Sequence, residues 1–320
     1  MSLAGILAGA ILPIVAVAGV GFLLGRTVGV DPAPLNTVVV YVLAPALVLH
    51  SLATTTFSGA TLARVAGATV AFVLAMTVVG ELAGRLLGET EPRLSALVLA
   101  ATFPNAGNYG IPLSDFAFPD GGRAVAVLYV GVQAVLLYTV GVYVAARAGG
   151  GSGRAGVRRV LSIPLVYAVP VALGARWLGV VPPTGSAAMS TLGLVGDSSI
   201  PVMLLILGIQ LSQTDYGAAL SRVGAPTVLK LGVAPAVAVG VATLVGFGDA
   251  TVARVFVLES AMPAAVTPVI LVGEFAEEAT IGDSDVSVPE YVSTAVLVTT
   301  LLSVPVLTVL IALLRGGLVG

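Results

Sequence analysis

The sequence predicts an all-α integral membrane protein with ten transmembrane helices, arranged as two inverted repeats of five helices each. Three observations lead to this prediction. First, the chain of 320 residues is 58% hydrophobic and only 9% charged, whereas a soluble domain carries about 25% charged residues. Second, the apolar runs form two groups of five, separated by a stretch rich in Gly and Arg. Third, prolines recur with the same spacing in both groups.

Ten apolar segments are long enough to span a bilayer, which takes about 20 residues per helix. Numbered 1 to 10 in chain order, these segments cover roughly 4–25, 34–52, 62–87, 94–118, 124–147, 160–180, 187–211, 217–246, 251–273 and 291–314. The Gly- and Arg-rich stretch at 149–159 separates segments 5 and 6. We therefore divide the chain into a first repeat at 1–148, a linker at 149–159 and a second repeat at 160–320.

Proline spacing relates the two halves to each other. Pro45 in segment 2 precedes Pro112 in segment 4 by 67 residues (112 − 45), and Pro201 in segment 7 precedes Pro268 in segment 9 by 67 (268 − 201). Because each half has an odd number of spans, the second half enters the membrane in the opposite orientation. Inverted repeats of this kind build many secondary transporters.

The distribution of basic residues predicts the orientation of the chain, because Lys and Arg accumulate in short cytoplasmic loops. Eight arginines fall on the linker side: Arg26, Arg85, Arg93, Arg147, Arg154, Arg158, Arg159 and Arg222. Five fall on the side of the termini: Arg64, Arg123, Arg176, Arg254 and Arg315. We therefore expect a plasma-membrane protein with the linker in the cytoplasm and both termini outside.

Several functional classes lack their residues in this chain. There is no Cys and only one His, His50, so thiol chemistry and His-cluster metal sites are excluded. The sequence contains no P-loop, no zinc-protease motif and no nucleophile elbow. We expect no enzyme activity, no cofactor, no bound metal and no nucleic-acid partner, and any active transport has to use ion gradients.

Two stretches interrupt apolar segments that otherwise predict helices. Residues 101–112 of segment 4 and residues 259–268 of segment 9 are rich in Pro, and the first also contains two glycines. Non-helical backbone at membrane depth is tolerated only inside protein or beside a polar cavity, and paired interruptions of this kind mark transporter binding sites. The candidate substrate-binding residues are Asn105, Gly107, Asn108, Pro112, Pro263, Thr267 and Pro268.

The ends of the interrupted helices predict an anion site. We expect half-helices to begin after Pro112 and after Pro268. A helix N-terminus presents unpaired N–H groups and the positive end of the helix dipole, and both favour anionic groups. Asn36, at the start of segment 2, is expected to lie away from this site.

Four ionisable residues within the spans are candidates for coupling or charge pairing. Lys230, in the middle of segment 8, pairs either with an anionic solute or with an acid that locks the segment to a neighbour. Glu259 has either a proton or cation role or a position near the surface. For Asp197 we favour a helix cap or kink, and for His50 a structural role at the interface.

Four motifs resemble the auxin efflux carrier family, which includes the plant auxin carriers and microbial carriers described for malate or malonate. They are Leu-Ala-Pro-Ala-Leu at 43–47, Asn-Ala-Gly-Asn-Tyr-Gly-Ile-Pro at 105–112, Ile-Pro-Val-Met-Leu-Leu-Ile-Leu-Gly-Ile-Gln-Leu at 200–211 and Leu-Glu-Ser-Ala-Met-Pro at 258–263. The resemblance covers essentially the whole chain, and the four motifs occur in matching order. The long hydrophilic loop of the plant carriers is replaced here by the short linker.

This resemblance implies a detailed architecture, related to the bile-acid:sodium symporter fold. Helices 1, 2, 6 and 7 would form a scaffold, and helices 3–5 and 8–10 a transport domain. Helices 4 and 9 would be broken and cross at Pro112 and Pro268. A small organic anion would bind beside the crossing, and an elevator-like movement would expose it to either side of the bilayer.

The sequence leaves several readings open. The leading one is a secondary carrier that exports or exchanges small carboxylates, with H⁺ or Na⁺ as the coupling ion. The alternative is a sodium-coupled organic-anion symporter of the bile-acid type, to whose cation cage Glu259 and Asn108 would contribute. Glycines in segments 1 and 7 would also permit a homodimer.

Overall fold

The structure, a computed structural model, describes residues 5, 7–148, 164–213, 219–276, 280 and 286–319. It is nearly all-helical, and no strand occurs within these residues. This agrees with the all-α prediction. The predicted linker at 149–159 lies outside the described residues.

The first half of the chain contains α1 to α6. Their bounds are Leu12–Thr27 (α1), Pro32–Thr54 (α2), Gly59–Leu86 (α3), Arg93–Thr102 (α4), Ile111–Ala117 (α5) and Gly122–Ala148 (α6). Short π-helical turns precede α1 and α5, at Leu7–Ile11 and Ala106–Gly110, and others interrupt α2 and α6, at Val39–Leu43 and Leu137–Gly141.

The second half contains α7 to α13. Their bounds are Pro164–Trp177 (α7), Ala187–Asp197 (α8), Ser199–Gln213 (α9), Gly224–Val245 (α10), Ala250–Ser260 (α11), Thr267–Ala276 (α12) and Val288–Arg315 (α13). Side-chain oxygens cap several of these helices by accepting first-turn N–H groups, as sequence preferences at helix starts predict. The capping residues include Asp31 of α2, Ser58 of α3, Ser186 of α8, Asp249 of α11 and Ser287 of α13.

Six stretches within the described residues are long and apolar enough to cross a membrane: α2, α3, α6, α8 with α9, α10 and α13. The apolar helices α1 and α4 are shorter. Large apolar side chains cover much of the outer surface, among them Leu244 (89% exposed) and Leu86 (88% exposed). In water such a surface would be unfavourable, so the composition and the surface both fit a bilayer.

The helices pack in two groups. In the first group, α1 lies along α9, and α2 packs against α7 and α8. The α1–α9 contact is made by backbone: a methyl group added at Gly208 would lie 1.8 Å from the carbonyl oxygen of Ala18. Small residues that allow such close approach are typical of helix pairs in membranes.

The second group contains α3 to α6 and α10 to α13. Here α3 packs against α4, α6 and α10, α11 packs against α6 and α10, and α12 packs against α13. The ring of Phe256 sits at the centre, 6.4 Å from the ring of Phe72, 6.0 Å from that of Tyr129 and 5.3 Å from that of Phe247. These contacts join α3, α6 and α11 in one apolar core.

The helix that contains Pro112 starts earlier than predicted. The sequence predicts a start after Pro112, but helical structure resumes at Ala106, six residues before this proline. In the π turn the N–H of Gly110 donates to the carbonyl of Asn105, at 3.0 Å, and the N–H of Ile111 donates to that of Ala106. Such local π adjustments accommodate a proline within a membrane helix. On the other side α12 begins at Thr267, directly before Pro268.

Candidate functional site

The two interrupted stretches meet inside the protein. Residues 103–105, between α4 and the π turn, lie antiparallel to residues 261–266, between α11 and α12, with a bridge at Pro104 and Ala264. The N–H of Asn105 donates to the carbonyl of Pro263 at 2.7 Å, and the N–H of Ala265 donates to that of Phe103 at 2.9 Å. Each stretch thus provides hydrogen-bond partners for backbone groups of the other stretch that have no partner within a helix.

Side chains from two further helices hold this contact. Gln133 of α6 donates from Nε2 to the carbonyl of Pro104 at 2.8 Å, and Thr299 of α13 accepts the N–H of Ala264 at 3.1 Å. Because an unpaired backbone group at this depth costs several kcal/mol, these bonds stabilise the non-helical conformation.

Residues 103–105 and 261–266 are called the paired stretches below. A cavity of about 330 Å³ opens beside them, and it is large enough for a small metabolite. It lies between the two helix groups, because α2 and Met203 of α9 contribute from the first group, and α6, α12 and residues 104–111 from the second. The lining includes four of the predicted binding residues: Asn105, Gly107, Asn108 and Thr267.

The described lining of the cavity combines apolar side chains with amides and hydroxyls, and it contains no carboxylate, ammonium or guanidinium group. Amides come from Asn36, Asn105, Asn108 and Gln133, and hydroxyls from Thr37, Tyr41, Tyr138 and Thr267. The helical run at 106–117 and α12 both start at this wall. The first N–H groups of a helix have no partner within it, and they carry the positive end of the helix dipole. The cavity therefore offers hydrogen-bond donors and partial positive charge.

The three predicted prolines have structural positions around the cavity. Pro112 is buried in the first turn of α5. The carbonyl of Pro263 accepts the hydrogen bond from the N–H of Asn105. Pro268 is buried at the second position of α12. None of the three is among the residues that line the cavity.

Lys230 and Glu259 lie behind the paired stretches, fully buried and outside the cavity lining. Lys230 Nζ donates to the carbonyl of Ser260 at 3.3 Å and lies 5.7 Å from the centre of the Phe72 ring. Glu259 Oε1 accepts a hydrogen bond from Ser114 Oγ at 2.5 Å. Within the described part of the chain, no ion pair includes either residue.

Asp197 and His50 lie away from the cavity. Asp197 is the last residue of α8, and its half-exposed carboxylate forms an ion pair with Arg123, which also binds Asp115. His50 packs against α8, so a methyl group added at Gly193 would lie 3.1 Å from its Nε2. His50 is thus part of the contact between α2 and α8.

The structure places at or near the site three polar residues that the sequence does not predict there. The sequence predicts that Asn36 lies away from the site, and this is wrong: it lines the cavity, because the first turns of α2 reach the wall beside Asn105. Gln133 has a signal in the sequence, because a glutamine within an apolar span is unusual. Ser114 gave no signal, because its partner Glu259 lies 145 residues away in the chain.

The long apolar helices and the partly polar cavity between them define a multi-pass membrane protein. The chain belongs to the membrane transport protein family, that of the auxin efflux carriers: the family model matches residues 6–155 and 154–311. The family inferred from the four sequence motifs is thereby confirmed. Membership makes the protein a membrane transporter. No curated protein matches the chain.

Proposed function

We propose that this protein is a secondary carrier that exports or exchanges small organic anions, with the substrate held in the cavity beside the paired stretches. The observation that carries the proposal is the cavity itself, which joins the interrupted parts of both halves at one polar wall. Transporters built from repeats bind their substrates at such places.

The chemistry of the wall favours a carboxylate. Asn105 directly precedes the π turn, Asn108 lies within it, and Thr267 is the first residue of α12. Amide and hydroxyl groups therefore lie beside two helix N-termini. N–H donors and positive dipole ends stabilise anionic groups. The described lining has no carboxylate to repel an anion, and its volume suits a small acid.

The proposed cycle is an elevator-like movement of the second helix group along the first. Two features support it: the cavity lies between the groups, and the two matches of the family model meet within the linker at 149–159, as expected for two inverted five-helix repeats. In this scheme the first group is the scaffold and the second the transport domain. Helices 4 and 9 of the repeats correspond to α4 with α5 and to α11 with α12.

A ligand screen on the purified protein tests the proposal. Mono- and dicarboxylates are compared with their uncharged amide analogues by thermal shift, with and without Na⁺ and at two pH values. A ligand at 100 times its Kd stabilises the folded state by about 2.7 kcal/mol, which raises the melting temperature. We expect at least one carboxylate to stabilise the protein and to exchange across proteoliposome membranes.

Two outcomes would change the assignment. If the amide analogues stabilise the protein as well as the acids do, the site does not select anions. If stabilisation by a carboxylate requires Na⁺, the alternative of a sodium-coupled symporter of the bile-acid type is favoured instead.

A further inference from the structure

The carboxyl group of Glu259 is enclosed without a positive partner. Its side chain is 0% exposed, in the last turn of α11. Oε1 accepts the hydrogen bond from Ser114, whereas Oε2 is buried and has no hydrogen-bond partner among the described residues. Charged groups buried in proteins are normally paired, because isolation in a medium of low dielectric constant is costly. A bound cation would therefore stabilise this carboxylate.

The space around Glu259 limits which cation fits. Its carboxyl group lies directly against the backbone of Gly110: a methyl group at this position would lie 2.1 Å from Oε2 and 2.8 Å from Cδ. Glu259 does not line the cavity beside the paired stretches, nor either of two further cavities among the described residues. A metal cation takes a shell of oxygen ligands and the volume that they enclose, whereas a proton needs neither.

We propose that Glu259 is the binding site of a coupling proton. This inference rests on the proposed transport function and names its coupling ion. In one state the carboxylate accepts a proton from water and becomes a neutral carboxylic acid. After the transport step it returns the proton to water on the other side of the membrane. No other reactant is required, and the charge of the side chain alternates between −1 and 0.

The position of Glu259 links proton binding to the cavity. Gly110, which packs on its carboxyl group, belongs to the same π turn as Gly107 and Asn108, which line the cavity. A carboxylate at Glu259 repels an anion bound on the far side of this turn, and in a medium of low dielectric constant the repulsion is strong. Protonation removes it, so proton and anion bind together and travel in the same direction.

The groups around Glu259 leave its charge unneutralised. Lys230 of α10 donates from Nζ to the carbonyl of Ser260, the residue after Glu259, rather than to the carboxylate. The hydroxyl of Tyr129, from α6, bonds to Ser260 Oγ at 3.2 Å. Tyr109, in the π turn, has its hydroxyl 3.5 Å from Ser303 Oγ of α13.

The other charged side chains of the elements packed against α11 lie nearer the helix ends. They are Arg64, Glu81 and Arg85 of α3, Asp115 of α5, Arg123 and Arg147 of α6, and Glu290 and Arg315 of α13. Most of them pair with one another or with backbone carbonyls, as Arg123 does with Asp115 and Arg64 with Gly246.

Infrared spectroscopy of the purified protein tests the proton site without any substrate. The probe is the proton: the protein is titrated, and the C=O stretch of a protonated carboxyl group in an apolar environment is followed. We expect a band that appears and disappears on titration in the wild type and is missing from Glu259→Gln, which is isosteric and always neutral. Asp120→Asn, which removes an exposed carboxyl group, should keep the band.

A second variant covers the case in which Glu259→Gln does not fold. Ser114→Ala removes the hydrogen bond to Oε1 and should shift the frequency of the band, whereas Asp120→Asn should not. A titrating band that is identical in Glu259→Gln and the wild type overturns the proposal, as does a frequency that Ser114→Ala leaves unchanged.

Transport in proteoliposomes then tests the coupling, with any carboxylate that the thermal-shift screen selects. With one proton per anion, a gradient of one pH unit drives about tenfold accumulation. Glu259→Gln should lose this accumulation and still exchange labelled for unlabelled substrate. Accumulation driven by Na⁺ but not by pH overturns proton coupling and leaves the carrier function intact. If no carboxylate binds, the carrier proposal fails, and the infrared band still decides whether Glu259 takes up a proton.

Discussion

Asn108 joins three features of the site within one residue. It belongs to the π turn at Ala106–Gly110, it lines the cavity, and its amide stands beside the free N–H groups of a helix start. Its neighbour Asn105 is held through its backbone by the bond to Pro263. Of these two amides, Asn108 is therefore the one whose substitution disturbs the paired stretches less.

Asn108→Leu should weaken carboxylate binding by about tenfold to a hundredfold, because a charged group left without its buried partner costs about 1–3 kcal/mol. The affinity is measured by thermal shift or by competition for exchange. Gln213→Leu is the matched control, because this exposed amide bonds to the carbonyl of Val30 outside the cavity. Equal losses in both variants would place the anion elsewhere. Asn36 is unsuitable as a control, because it lines the cavity itself.

The glycines of α1 and α9 determine how closely these two helices approach. A methyl group at Gly208 would collide with the carbonyl oxygen of Ala18, and one at Gly21 would lie 2.2 Å from that of Leu205. Both obstacles are backbone atoms, which cannot turn away as a flexible side chain can. The helices would have to separate along their contact, with loss of packing on both sides.

Gly208→Ala should therefore destabilise the protein by about 1–3 kcal/mol, the usual cost of overpacking. Gly240→Ala in α10 is the control, because nothing lies within 4 Å of the added methyl group; there alanine should be neutral or stabilising by up to about 1 kcal/mol. Thermal unfolding in detergent compares the two variants. A Gly208→Ala protein as stable as the wild type would show that α1 and α9 are free to separate.

The elements differ in how far the sequence could predict them. Composition sufficed for the all-helical, membrane-embedded character, because a chain with 9% charged residues cannot cover a water-exposed surface. It could not predict that helical structure resumes at Ala106, because that start depends on the bond from Asn105 to Pro263 in the other half. The same holds for Ser114 and Glu259, whose contact exists only after the halves have packed.

At the scale of the whole molecule, the arginine contacts near the helix ends fall on two opposite sides of the protein. Arg147 binds Glu81 and Glu91, all near the ends that face the linker. At the opposite end Arg176 donates to the carbonyls of Leu52 and Phe57. The arginine count of eight against five predicts that the linker side is cytoplasmic.

The absence of cysteine makes this orientation simple to test. Thr56→Cys, between α2 and α3, and Thr90→Cys, between α3 and α4, place a single thiol at an exposed position on each side. In intact cells a membrane-impermeant maleimide should label Thr56→Cys only, whereas permeabilised cells should show labelling of both variants. Labelling of Thr90→Cys alone in intact cells would mean that the protein is inserted in the opposite orientation.

The ion pair between Arg123 and Asp197 connects the two helix groups, because Arg123 starts α6 in the second group and Asp197 ends α8 in the first. Asp115, the other partner of Arg123, lies in the second group. If the groups slide past each other during transport, the bond to Asp115 persists and the bond to Asp197 has to break. The two contacts of one guanidinium group therefore distinguish a moving interface from a fixed one.

Joining Arg123→Cys and Asp197→Cys with a short, cleavable thiol crosslinker should stop carboxylate exchange in proteoliposomes, and cleavage should restore it. The matched control joins Arg147→Cys to Glu91→Cys, an ion pair that lies within the second group. This control should exchange substrate equally well with and without the crosslink, because both of its ends move together. Undiminished exchange in the crosslinked Arg123→Cys/Asp197→Cys protein would contradict the elevator-like cycle, since the groups would then remain joined throughout transport.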